Sequence, residues 1–254
     1  MRLQKYISNF SSISRRKAEQ FIKEGKVKVN DKIITIPYYD VKDEDKVFVN
    51  GKIIKQTNKL LCYIFYKPSG YLSSFYDQNG QKGIKEFFEN RGNLKIAGRL
   101  DFFSEGILVV TNHTELINIL THPSYQIEKE YLVFSYQPIK KELITNFKKG
   151  LTIDGIFYKA ESFDLIKDTV ARIVLKEGKN REIRNVFATF KQPIARLLRV
   201  RIGPLKIGNL KPTEKKLVPI SLIEPLILTT KNPPEKSIFK DKKNSLDYED
   251  LEDY

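Results

Sequence analysis

One stretch constrains the fold of this chain more than any other: Ile96 to Asn112, IAGRLDFFSEGILVVTN. Its second half, Gly106 to Thr111, is a run of β-branched and leucine side chains of the kind that forms a buried strand. Immediately before it stand Gly98, Arg99, Leu100 and Asp101, followed by Phe102 and Phe103. A carboxylate among apolar groups keeps its charge only with a specific partner, because burial opposes ionisation and a nearby guanidinium favours it. The alternative is a plain turn aspartate leading into a strand. The rest of the chain decides between the two.

Cysteine and histidine exclude several classes of function. Cys62 is the single cysteine of 254 residues, so no internal disulfide framework exists, and a reducing cytosol is expected. With two histidines, His113 and His122, a zinc-type ligand cluster is not expected either. No apolar run reaches membrane-spanning length, and MRLQKYISNF lacks a signal-peptide core, so a cytoplasmic protein without a membrane partner is expected. Charge is more informative. Residues 1–60 carry 14 Lys and Arg against 7 Asp and Glu, residues 61–231 carry 27 against 17, and residues 232–254 carry 4 against 7. The expected folded parts are basic and the end is not, which points to a polyanionic partner, nucleic acid before membrane.

Residues 1–55 read as a unit of their own. Leu3, Tyr6, Ile7 and Phe10 recur at helical spacing; a second helix starts near Ser14, buries Ala18, Phe21 and Ile22, and stops at Gly25. Lys26 to Val29 alternates charged and apolar residues, Asn30-Asp31 turns into Ile33-Ile34, and Lys46 to Val49 is a third strand ending at Asn50-Gly51. Arg15, Arg16 and Lys17 open the second helix, where positive charge opposes the macrodipole. With Lys26 and Lys28 they are better placed for phosphate than for stability. Residues 55–60 form a polar linker.

In the larger part, residues 60–230, Leu60 to Tyr66 is a strand ended by Lys67-Pro68-Ser69-Gly70. Helices are expected over Gly83–Asn90, His113–Thr121, Ile139–Lys149 and Arg181–Phe190, and strands over Glu128–Phe134, Thr169–Leu175 and Pro193–Gly203. The histidines flank a helix and are expected to cap or pack. On the Arg181–Phe190 helix, Ile183, Val186, Phe187 and Phe190 make an apolar stripe with Arg184 at its rim, so its head can face a cleft. From Lys179 to Arg201 there are seven basic residues and one acid, Glu182, with Arg196, Arg199 and Arg201 on the last strand; the alternative is a merely exposed basic face, and the Tyr and Phe elsewhere suit RNA better. Residues 232–254 begin Asn-Pro-Pro, end acidic and read as a disordered tail.

Two resemblances follow from these residues. Leu3, Lys5, Tyr6 and Ile7, then Ser14-Arg15-Arg16-Lys17-Ala18-Glu19, Ile22, Gly25, Val27, Val29 and Asn30 resemble the small RNA-binding domain named after ribosomal protein S-four. That resemblance implies a grip on structured RNA by shape and backbone. Further on, Lys67-Pro68-Ser69-Gly70, Gly98-Arg99-Leu100-Asp101, His122-Pro123, Lys129-Glu130-Tyr131 and Gly178 to Arg184 occur in order. Together they resemble the ribosomal RNA pseudouridine synthases of the Rsu type. The implied fold is α+β: a small N-terminal domain plus a larger catalytic domain built on a mixed, mostly antiparallel sheet.

The family resemblance implies Asp101 as the catalytic aspartate, Tyr131 as the tyrosine against the target uracil, and Arg184 as the aspartate's basic partner. Arg99 falls in the loop that helps replace the extruded nucleotide; Lys179, Arg181 and Arg199 are further candidate RNA contacts. Glu182 and Asn185 depart from the family pattern, which bears on local RNA contacts. The implied reaction is redox-neutral and donates no group, so no cofactor is expected; the implied partner is ribosomal RNA, large-subunit RNA in first place, and the chain is expected to act as a monomer. A ribosome-assembly protein with an inherited site is the competing class, but a pure binding module has no need of Asp101, Tyr131 and Arg184 together. A methyltransferase is disfavoured because no glycine-rich cofactor loop follows a strand near an acidic partner.

Overall fold

The computed structural model describes residues 1–56, 59–89 and 92–228. The linker lies partly, and the tail of 232–254 wholly, outside the described residues.

The N-terminal part forms two helices, α1 (Leu3–Phe10) and α2 (Arg15–Lys23), over a four-stranded sheet. The Ser14 side chain caps α2 by accepting from the Lys17 N–H at 3.2 Å, the expected remedy for a helix start without internal partners. Strands β1 (Val27–Val29), β2 (Lys32–Ile33), β3 (Val47–Val49) and β4 (Lys52–Ile53) pair antiparallel in the order β2-β1-β3-β4. The period of two sends Val27, Val29, Val47 and Val49 inward against Leu3, Tyr6, Ile7, Ala18 and Ile22. Strand β4 goes beyond the sequence reading. Asn50 and Gly51 both take positive φ (49° and 74°), and that pair turns the chain back on itself instead of ending the sheet.

The larger part is one nine-stranded sheet. Its elements in chain order are β5 (Cys62–Lys67), β6 (Lys95–Ala97), β7 (Glu105–Thr111), α3 (Thr114–Thr121), β8 (Lys129–Ser135), α4 (Lys141–Lys149), β9 (Leu151–Ile153), β10 (Ile156–Tyr158), β11 (Ser162–Lys167), β12 (Val170–Leu175), α5 (Glu182–Thr189), β13 (Ile194–Ile202), β14 (Leu205–Lys206), β15 (Lys215–Leu217) and α6 (Ile220–Leu228). The order is β11-β12-β8-β13-β7-β5-β15, with β6 on β7 and β14 on β13; β9 and β10 form a separate hairpin. Every pairing in the large sheet is antiparallel except β7 with β13. The mixed, mostly antiparallel α+β fold is therefore as expected. One apolar cluster gathers Leu116 and Leu120 of α3 and Ile223 of α6 against Ile107, Val109 and Leu198. Another gathers Leu143 and Phe147 of α4 and Ile183, Val186 and Phe187 of α5 against Val133, Ile173 and Leu197. Each fully buried side chain of this size contributes roughly 1.5–3 kcal/mol.

Three expectations need correction. Of the helix expected over Gly83–Asn90, whose last residue lies outside the described ones, residues 83–89 make a single 3₁₀ turn, Lys85–Phe87. Phe88 leaves helical geometry (φ −136°, ψ 59°) to set its ring edge-on against Phe65 and Phe75, so tertiary packing overrides local periodicity. The stretch from Gly150 to Lys167 holds the β9–β10 hairpin, turned by Asp154-Gly155, and strand β11, none of which had been read from the sequence. Finally, Arg196 and Arg201 belong to neither an exposed nor an RNA-facing basic face. Arg196 pairs with Glu105 at 2.7 Å and donates to the Tyr66 hydroxyl; Arg201 pairs with Glu130 at 2.9 Å and Glu128 at 3.0 Å. Strand β13 is central, and its neighbours supply the carboxylates.

The parallel seam is short: Leu198 lies beside Glu105 and Arg199 beside Gly106. Gly106 has φ +106°, and a Cβ there would collide with the Arg199 carbonyl oxygen and lie 2.8 Å from its nitrogen. Only glycine fits. Gly106→Ala is expected to cost about 3 kcal/mol or more, from backbone strain plus overpacking that no rotamer can relieve. The measurement is the chemical-denaturation midpoint; a loss below about 1 kcal/mol would contradict the seam as described.

Candidate active site

The loop from Gly98 to Ser104 precedes β7 directly and is fastened from the segment that follows β5. Gly98 enters it at φ +79°. The Ser73 hydroxyl donates to the Leu100 carbonyl and accepts from the Leu100 N–H, both at 2.8 Å. Gly70 N–H donates to the Phe102 carbonyl at 2.9 Å, and Ser104 N–H to the Asp101 carbonyl at 3.0 Å. Beneath them lies Lys67, with 0% of its surface exposed. Its ammonium donates to the carbonyls of Pro68, Tyr71 and Phe102 at 2.9, 2.8 and 3.3 Å. Among the described residues no carboxylate touches it, and burial pulls its pKa down to about 8. Asp101 thus stands on a loop held on both sides by hydrogen bonds.

Helix α5 brings Arg184 to that loop. As the stripe predicts, Ile183, Val186 and Phe187 are buried and Arg184 emerges at their rim. Its Nη2 donates to the Phe103 carbonyl and the Ser104 hydroxyl, each at 3.1 Å, and its Nε lies 3.8 Å from Asp101 Oδ2. The guanidinium is hydrogen-bonded to the loop and ion-paired with Asp101 at the outer limit of contact. Desolvation lowers its pKa, the Asp101 carboxylate raises it, and Arg181 lowers it.

A cavity of about 370 Å³ opens over this pair. Asp101, Tyr131 and Arg184 all line it, and so do Arg99, Lys179, Arg181 and Arg199. Across the sheet, Gly106, Arg199, Tyr131 and Ile173 stand side by side on β7, β13, β8 and β12. This row places the tyrosine and the arginine on one face at the seam. Arg199 is only 3% exposed; its Nε donates to the Ile107 carbonyl at 3.0 Å, while its Nη2 has no hydrogen-bond partner among the described residues. Lys129 also lines the cavity, its pKa drawn to about 8 by burial and then by Arg199. The two departures from the family pattern turn inward. Glu182 is buried and accepts from the Lys179 N–H at 3.0 Å; burial raises its pKa against that bond. Asn185 donates to the Tyr158 hydroxyl and the Asn180 carbonyl, each at 3.2 Å. Both residues shape the loop before α5.

Arg15, Arg16, Lys17, Lys26 and Lys28 lie away from the cavity, exposed on the N-terminal part. Lys17 and Lys26 stand over the Phe21 ring, and Lys26 is paired with Glu24 at 2.7 Å. Both histidines cap: His113 Nδ1 accepts from Leu116 N–H, and His122 Nδ1 from Ser124 N–H. Sequence reasoning missed Lys67, Ser73, Ser104 and Lys129 as supports or lining of the site. A lysine ending an otherwise apolar strand was the available signal for Lys67. Among the described residues, no three His, Cys, Asp or Glu side chains converge as a metal site, and no helix is long and apolar enough to cross a membrane.

Fold and cavity together describe a cleft with a carboxylate among cationic side chains, and similarity to known proteins specifies what kind of protein carries it. A family model described as RNA pseudouridylate synthase matches residues 62–189, and a model of the S-four domain matches residues 1–47. An uncharacterized RNA pseudouridine synthase of Rickettsia prowazekii is 37% identical over 227 residues, spanning 88% of this chain and 96% of that one. The ribosomal large subunit pseudouridine synthase B of Bacillus subtilis is 34% identical over 216 residues, 82% of this chain and 88% of that one. A pseudouridylate synthase crystal structure superposes with a TM-score of 0.65 at 23% identity, covering 89% of this chain and 99% of that chain. The chain belongs to the RNA pseudouridine synthase family: it is an enzyme that isomerises uridine to pseudouridine in RNA.

The buried ammonium of Lys67 sets a pH signature. Its folded pKa of about 8 lies below the ordinary 10.5. Between those values the unfolded chain holds a proton that the folded chain has released, so this group's contribution to stability rises with pH there. Cys62 and Tyr66, both pushed up to about 12 by burial, act in the opposite sense. Comparison with Lys67→Met cancels them. Unfolding stability of the wild type minus that of the variant is expected to be flat below pH 8 and to climb between about pH 8 and 10.5. A flat difference throughout would show that the ammonium is not paying a burial cost.

Proposed function

We propose that this enzyme modifies a specific uridine of ribosomal RNA, with large-subunit RNA as the favoured substrate, acting as a cytoplasmic monomer with Asp101 as its one catalytic carboxylate. The observation that carries this reading is Asp101, 3.8 Å from the Arg184 guanidinium, at a cavity also lined by Tyr131 and the buried Arg199. The Bacillus subtilis relative supports the choice of ribosomal RNA.

The reaction breaks the bond from ribose carbon 1′ to base nitrogen 1 and makes one from carbon 1′ to base carbon 5. Carbon 5 gives up its proton and nitrogen 1 ends protonated, so nothing is oxidised and no group is donated. Asp101 acts as nucleophile or base at the ribose or as base toward the detached uracil. Arg184 pairs with the carboxylate and keeps it aimed. Tyr131 offers a flat face to the base while it turns. The unpartnered Arg199 Nη2 suits a uracil carbonyl oxygen, since a buried donor without a partner costs roughly 1–3 kcal/mol. A uridine reaches such a cavity only by leaving its stack, at a cost of roughly a few kcal/mol. Phosphate contacts from exposed cations, Arg99 near the site and Arg15, Arg16, Lys17, Lys26 and Lys28 on the N-terminal domain (residues 1–55), offset that cost. The catalytic domain then comprises residues 60–230.

Single-turnover assays on ribosomal RNA test the roles. Asp101→Asn is expected to abolish pseudouridine formation, by 10³-fold or more as an order of magnitude, while RNA affinity stays within about twofold. Arg184→Met is expected to be folded and slow, and Arg184→Lys intermediate, since lysine supplies charge without the planar fork. Substantial product from Asp101→Asn would overturn the assignment.

A further inference from the structure

We propose that a second cavity, at the C-terminal side of α5, is a phosphodiester subsite for the RNA strand flanking the target uridine, with Lys191 as its new cationic ligand. The inference rests on the proposed function and extends it along the substrate. The cavity measures about 400 Å³ and is lined by Arg181, Arg184, Ala188, Lys191, Gln192 and Pro193, with Ile194 at its edge. Arg181 and Arg184 line the first cavity as well, so a strand leaving the first passes directly into the second. Three of the lining side chains are cationic and none is a carboxylate. Among the described residues, the side chains of Arg181 and Lys191 make no ion pair; Arg184 is already committed to the Asp101 loop.

The backbone supplies an independent argument. Arg181 and Lys191 both adopt φ +52°, at the two ends of α5. The other non-glycine residues with positive φ among the described ones are Asn30, Asn50, Asn79, Gln126, Asp154 and Thr213; none carries a charge of this sign. At the far end of α5, Lys191 N–H donates to the Ala188 carbonyl and Gln192 N–H to the Phe187 carbonyl, both at 2.9 Å. That helix ending normally places glycine where Lys191 stands. Gln192 fixes the position: its buried amide donates to the Ser135 hydroxyl and to the Gln137 and Pro138 carbonyls at 2.8, 3.1 and 3.3 Å. A long cation in a conformation made for glycine, on a rigid base beside a cavity, points to a use for its charge. The ligand chemistry that matches is an RNA phosphate.

Lys191→Gly makes the test clean, because glycine relaxes the backbone while removing the charge. Its thermal midpoint is expected to equal or exceed that of the wild type. Its affinity for in vitro transcribed ribosomal RNA is expected to fall several-fold at low salt, and the slope of log affinity against log salt to become shallower by roughly 1. KM is expected to rise with kcat unchanged, and Lys191→Arg to restore both slope and KM. An unchanged slope and KM in Lys191→Gly, or a lowered midpoint, would overturn the subsite. The binding measurement reads the subsite whether or not the transcript is turned over, whereas absence of pseudouridine with the wild-type enzyme would count against the proposed function instead.

Discussion

The site depends on β7 and β13 lying side by side at Gly106. No side chain fits between Gly106 and the Arg199 backbone, so the two halves of the sheet meet at contact distance. That contact brings the loop before β7 under the helix before β13, and it sets Arg199 beside Tyr131 on the next strand. The loop buries Leu100 in the core, but that one anchor does not fix the backbone around Asp101. Hydrogen bonds from Ser73, Gly70 and the buried Lys67, groups almost thirty residues or more away in the chain, fix the rest of it. The role proposed for Asp101 needs this kind of support, because small displacements of a reacting group are costly in rate.

The basic residues divide into two populations that composition cannot separate. Arg172, Arg196 and Arg201 are matched by Asp164, Glu105, Glu128 and Glu130 on neighbouring strands and hold the sheet together. Arg99 and Arg181 at the cavity, and Arg15 and Arg16 at the start of α2, are exposed instead. Between the two parts of the molecule, Asn9 at the end of α1 takes up hydrogen bonds from Lys95 and Thr114 through its side-chain oxygen, each at 3.0 Å, and from Asn93 through its carbonyl. These bonds bring the cationic N-terminal helices and the cavity into one frame.

Much of this was legible in the sequence wherever the signal was local. Helices α1, α2, α3 and α5 and strands β5, β7 and β8 follow periodicity and caps to within a few residues. Arg184 at the rim of its stripe follows from helical geometry alone. What was not legible depended on distant partners. The arginines of β13 looked alike in the chain, yet Arg196 and Arg201 are ion-paired and Arg199 is buried at the cavity, because the carboxylates that distinguish them come from β7, β8 and the residue before it. The Gly83–Asn90 segment has helical spacing but yields to the packing of Phe88. The β9–β10 hairpin had a local signal, Asp154-Gly155, that went unread. Lys67 carried a signal, a lysine ending an apolar strand, but its role as a support was not legible, since the three carbonyls it satisfies come together only in the folded loop.

The central claim is that the cavity over Asp101 isomerises a uridine of ribosomal RNA. Its most direct test is a map of pseudouridines across the ribosomal RNAs of cells that have the gene, lack it, or carry it with Asp101→Asn. The account predicts that a defined position, in large-subunit RNA, is modified in the first cells and unmodified in the other two. Identical maps in all three, or restoration of the missing position by the asparagine variant, would contradict it.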